Sequence, residues 1–81
     1  MKKHVKIFLE YYDIGIDEFI LCQYCNQERA VDVHHIVYRS QGGLDEISNL
    51  IGLCRKCHAG HHEQNNPTTE QIKEKYENNK I

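Results

Sequence analysis

Val5, Phe8, Leu9 and Tyr12 fall at i, i+3, i+4 and i+7, one face of an amphipathic helix over about residues 3–12 that Asp13 and Gly15 end. A short apolar piece, Phe19-Ile20-Leu21, leads into Cys22-Gln23-Tyr24-Cys25, and Asn26 marks a tight turn. Residues 30–37 change the period to two. Val31, Val33, His35 and Val37 share one face and Asp32, His34 and Ile36 the other, the pattern of a strand. Gly42-Gly43 opens a loop that runs to about Asn49, and Leu50-Ile51-Gly52-Leu53 predicts a second strand, antiparallel to the first. Cys54-Arg55-Lys56-Cys57 turns into a helix bearing His58, His61 and His62, with Pro67 beyond its end. Thr68 and Gln71 form a capping box for a last helix over about 69–78.

The predicted fold class is therefore α+β, a single domain over 1–81 with its chemistry between two flanking helices. A chain of 81 residues buries only about 60–65% of its unfolded surface, so an apolar core alone is marginal and some reinforcement is needed. No apolar run approaches the roughly 20 residues that cross a bilayer, and Lys2-Lys3 are followed by Lys6 and Glu10 rather than a signal-peptide core. The reading is cytoplasmic, with no membrane association, where thiols stay reduced and cysteines serve as metal ligands rather than disulfides.

Cys22/Cys25 and Cys54/Cys57 are two Cys-x2-Cys pairs, each placing two thiolates on one tight turn, and together they predict a closed tetrahedral site for structural Zn2+. The pairs stand further apart than the ~15–20 residues of a simple zinc ribbon. The insert between them holds most of the remaining chemistry. Five of the six histidines lie in 34–62. Neighbours on a strand point to opposite faces, so His34 and His35 divide their roles: one holds metal, the other faces water or substrate. On the helix, His61 or His62 can join His58, and His62, at i+4, has the better alignment for a shared ion. Asp32 reads as a solvated side chain, with a supporting role behind a metal ligand as the alternative.

Cys-x2-Cys, Asp32-Val33-His34-His35-Ile36-Val37, Gly42-Gly43, Asn49-Leu50 and Leu53-Cys54-x2-Cys57-His58 together resemble the HNH (His-Asn-His) endonuclease motif over about residues 22–62. The resemblance implies a ββα-metal finger that hydrolyses phosphodiester bonds of DNA, nicking or cutting both strands, to 5′-phosphate products. It implies His35 as general base, His34 and His58 as ligands of a catalytic Mg2+ or Mn2+, and Asn49 as the residue that orders the loop and orients the base. His62 matches an optional further ligand. Other divalent transition metals suit an imidazole set as well. Proteins of this compact type are often phage-like.

Charge bears on the partner. The formal net charge is −2, and four thiolates on one zinc ion bring the total to about −4, which argues against tight unaided DNA binding. The distribution is kinder, because nine of the acidic residues lie outside 29–58, while Arg39, Arg55 and Lys56 within it are candidate phosphate contacts. A larger protein partner or a homodimer would supply what the charge lacks. The competing function is a non-catalytic zinc module that binds nucleic acid or protein. Such a module needs the cysteines but not the polar triad of His34, His35 and His58.

Overall fold

The computed structural model describes residues 2–15 and 17–78. In chain order these form helix α1 (Lys3–Tyr11), strand β1 (Asp32–His35), two single 3-10 turns (Arg39–Gln41 and Ile47–Asn49), strand β2 (Leu50–Leu53), helix α2 (Arg55–Gln64) and helix α3 (Thr69–Asn78). The class is α+β, as the sequence predicts.

The two strands pair antiparallel with Asp32 opposite Leu53, Val33 opposite Gly52, His34 opposite Ile51 and His35 opposite Leu50. The regular strand is shorter than the alternation over 30–37 predicts. Pairing nevertheless extends one residue at each end, through Val31 N–H to the Leu53 carbonyl and Ile36 N–H to the Asn49 carbonyl, each at 2.9 Å. Alternation sorts the faces as expected: His34 and Ile36 are buried, whereas Val31 and Val37 on the opposite face are exposed. β2 is buried at all four positions, since the core covers one side and Phe8 of α1 approaches Gly52 on the other.

The core gathers Cys22, Ile36, Ile51, Leu53, Cys54 and Ile72, with Tyr24, Cys25, Cys57 and Tyr76 packed against it. Two cysteines thus stand where a larger protein would place aliphatic side chains. α3 contributes Ile72, and the Tyr76 hydroxyl donates to the Ile47 carbonyl at 2.9 Å.

Local sequence explains the joints. Asn26 (φ 58°) takes the left-handed conformation after Cys25, and its N–H closes on the Cys22 carbonyl at 2.9 Å. Gly42 has φ 88°, and a Cβ on Gly43 would overlap the Val37 carbonyl oxygen, so both glycines of the loop are required. α2 closes on Asn65 (φ 52°), with Asn66 N–H reaching back to the Gly60 carbonyl at 3.1 Å. Thr68 and Gln71 exchange the two bonds of a capping box at 2.8 and 3.1 Å and start α3. No helix among the described residues is long and apolar enough to cross a membrane.

Candidate metal centre and hydrolytic site

The two Cys-x2-Cys turns bring the sulfurs of Cys22, Cys25, Cys54 and Cys57 within 4.8 Å of one another. Four sulfurs about 2.3 Å from a tetrahedral ion stand about 3.8 Å apart, and Cys25 Sγ lies 3.9 Å from Cys54 Sγ. Backbone N–H groups already aim at the sulfurs: Tyr24 and Cys25 at Cys22 Sγ (3.4 and 3.5 Å), and Cys57 at Cys54 Sγ (3.4 Å), which also caps α2. Burial pushes the Cys54 and Cys57 thiols up. Burial acts the same way on Cys25, but the N–H groups of Gln27 and Glu28, together with the Cys22 and Cys57 side chains, outweigh it and bring that thiol to about 7. This set fits a metal such as zinc and, once filled, has no position left for substrate.

The second set lies across the hairpin. Nitrogen atoms of His34, on β1, and of His58 and His62, on α2, fall within 4.8 Å of one another. His62 Nε2 is 3.1 Å from His58 Nε2, close to the roughly 3.3 Å between two nitrogens bound to one tetrahedral ion. His34 is 5% exposed, and its Nε2 is buried with no hydrogen-bond partner among the described residues. An orphaned buried nitrogen costs about 1–3 kcal/mol, and a metal ion held by the three rings would remove that cost. Burial first, then the rings of His58, His61 and His62, pushes the His34 imidazole down to about 3, so it stays neutral and able to ligate. Burial and the His58 ring likewise lower His62.

Asp32 departs from the favoured sequence reading, and His61 follows the preference given to His62. Asp32 is not a solvated bystander: its Oδ2 lies 3.0 Å from His58 Nδ1 and accepts that ring's N–H, which leaves Nε2 with its lone pair toward the other imidazoles. The alternation put Asp32 on the face of His34, but its distance to the helix was not legible. His61 lies outside the cluster of possible ligands formed by His34, His58 and His62. Its Nδ1 donates to the Pro67 carbonyl at 2.7 Å and its Nε2 accepts from the Tyr38 hydroxyl, so both nitrogens are occupied and the ring is buried.

His35 points away from the triad. Its Nε2 lies 2.7 Å from Asp45 Oδ1, and the bond from His35 is the chief reason the Asp45 carboxyl is held below its ordinary range. With Nε2–H donating to Asp45, Nδ1 carries the lone pair. Asn49 ties the loop that carries Asp45: its Oδ1 accepts from Val37 N–H at 2.8 Å, and its Nδ2 donates to the carbonyls of Val37 and Leu44, each at 3.1 Å. Sequence reasoning missed Asp45, although its place between Gly43 and Asn49 on the predicted loop was a signal.

His34, His35, Tyr38, Arg39, Ser40, His58 and His62 line one open cavity. Of the candidate phosphate contacts, Arg39 therefore stands beside the histidines. Arg55 is exposed on the first turn of α2, and Lys56 lines a different hollow beside Cys25, Cys57 and Gln64. The arrangement offers an open three-imidazole metal position and a carboxylate-held imidazole on one solvent-facing cavity.

Residues 22–64, just over half of the chain, match the family model described as HNH endonuclease. No curated protein and no solved structure matches the chain.

Proposed function

We propose that this chain, which belongs to the HNH endonuclease family, is an active metal-dependent nuclease that hydrolyses phosphodiester bonds of DNA with a histidine base and one catalytic divalent ion. The carrying observation is the buried, partnerless Nε2 of His34 converging with His58 and His62 on the cavity that His35 also lines. A purely structural module gains nothing from that arrangement and is destabilised by the orphan.

In this reading His35 Nδ1 takes the proton of the attacking water, and Asp45 fixes the tautomer and offsets the imidazolium charge as it forms. His34, His58 and His62 hold Mg2+ or Mn2+, and Asp32 orients His58. When bound, the ion offsets charge on the phosphate and on the departing 3′-oxygen. Arg39 holds a backbone phosphate at the cavity rim, Asn49 keeps the loop and the base in register, and the four cysteines bind Zn2+ that braces the fold. The protein works in the cytoplasm. A partner or second copy assists DNA binding, because a chain of net charge −2 attracts a polyanion poorly.

The test compares cleavage of supercoiled plasmid in Mg2+ or Mn2+ with DNA affinity at fixed salt, for wild type and His35→Ala. Loss of a general base costs about 10²–10⁴-fold in rate. DNA affinity should barely change, since phosphate contacts come chiefly from Arg and Lys. Equal cleavage by both proteins would remove His35 as base. A wild type that binds DNA or protein but never cleaves would make this a binding module, the reading its acidic charge favours.

A further inference from the structure

A third cluster includes the proposed base and reaches, through His4, outside the segment that matches the family. His4, in the first turn of α1, lies against His35 with ring centroids 4.5 Å apart and the ring planes tilted by 52°. Ligand atoms of His4, His35 and Asp45 fall within 4.8 Å of one another. Helical spacing explains the encounter. His4 precedes Phe8 by one turn on the same helix face, and Phe8 is the buried residue that seats α1 over Gly52 of the hairpin. Packing α1 through Phe8 thus carries His4 over the end of β1, where His35 stands.

We propose that His4, His35 and Asp45 form a second divalent-metal site, and that its occupancy silences the nuclease. Two imidazoles and one carboxylate suit borderline-soft ions such as Zn2+, Ni2+ or Co2+ and leave positions open for water. The pair at 2.7 Å opens only to about 3.3 Å to hold an ion. The consequence is a change of tautomer. Without the ion, Nε2–H of His35 donates to Asp45 and Nδ1 is the free base. With the ion on Nε2, the ring proton sits on Nδ1, and that nitrogen can no longer accept one from water. The inhibition rests on the reading of His35 as base; the binding does not.

Binding is tested by titrating Zn2+ calorimetrically into full-length protein whose cysteine site is already filled. His58→Ala, which lacks the other ion position, should bind Zn2+ at a site that His4→Ala/His58→Ala has lost, with both proteins matched by circular dichroism. His4→Gln in place of His4→Ala should give the same loss. Identical isotherms for the single and double variants overturn the site. Inhibition is tested by the ratio of plasmid cleavage rates with and without excess Zn2+ at fixed Mg2+, taken within each protein so that basal rates cancel. The ratio should fall at least tenfold further in wild type than in His4→Ala. Equal ratios overturn the inhibition and leave Zn2+ acting only at the triad. If wild type fails to cleave in Mg2+ or Mn2+, the proposed nuclease activity falls, and the isotherms still decide the metal site.

Discussion

Cys57 and His58 are neighbours on α2, yet they belong to two different clusters of candidate metal ligands. The cysteine set is packed into the core, with backbone N–H groups on its sulfurs and four like ligands that complete a shell. The histidine set is graded: His34 is buried, His58 half-buried and His62 exposed at the edge of an open cavity. A closed shell can only hold the fold, whereas a three-ligand site open on one side can admit water and phosphate. One short helix therefore serves both, its first turn facing the core and its next turns the cavity. The comparison predicts that damage to the first set unfolds the protein, while damage to the second spares the fold and removes chemistry.

The largest effect should come from the closed set. Cys54→Ser removes a thiolate and weakens the cap of α2. Structural zinc is worth about 10–16 kcal/mol apparent at neutral pH, comparable with the whole stability of a small domain. Loss of bound zinc by elemental analysis should accompany loss of the cooperative thermal transition. A Cys54→Ser protein that melts like wild type would show that the core does not need the metal.

The open set should respond more gently. His58→Ala should abolish most Mn2+ or Ni2+ binding at the triad while the cysteine-bound metal stays. Asp32→Asn leaves all three imidazoles but takes away the carboxylate on His58 Nδ1. An orienting partner of this kind contributes about 10–100-fold in metal affinity or activity. Calorimetry on Asp32→Asn should show a weakening in that range with an unchanged melting curve. Unchanged affinity would mean that the ring holds its tautomer without help.

These residues also show where sequence reasoning reaches its limit. The cysteine pairs, the hairpin, the His34/His35 division and the preference for His62 over His61 follow from fixed spacings on a turn, a strand and a helix. Period decides such features locally. The sequence did not disclose Asp32 against His58, which are 26 positions apart, or His4 against His35. Those pairs depend on how α2 and α1 pack onto the hairpin, and helical or strand period sets which face a residue shares but not which partner arrives there. Pro67 reads only as a helix stop in sequence, yet its carbonyl engages His61 and so withdraws that ring from metal binding. The strand ended early for a related reason: Ile36 still pairs with Asn49, but the Asn49 side chain takes over the Val37 N–H and carbonyl from any continuing ladder.

The smallest effect concerns pH and the one ring shared by core and cavity. His34 is held down to about 3 in the folded protein, chiefly by burial, against about 6.5 in an unfolded chain. Below pH 6.5 the unfolded chain therefore takes up a proton that the folded one refuses. The corresponding stability is fully present above 6.5 and is lost as pH falls from there toward 3, at no more than about 1.4 kcal/mol per pH unit for one group. The cysteine site also weakens in acid, because its ligands must stay thiolates. The measurement is accordingly the difference in slope between wild type and His34→Gln, from denaturant unfolding between pH 7 and 5 without added Mg2+ or Mn2+. His34→Gln should lower stability at neutral pH by leaving an amide in the pocket, and should flatten the acid slope by an amount that approaches one proton toward pH 5. Parallel slopes would show that His34 protonates as readily folded as unfolded, and the buried imidazole would lose its standing as a ligand kept neutral by the fold.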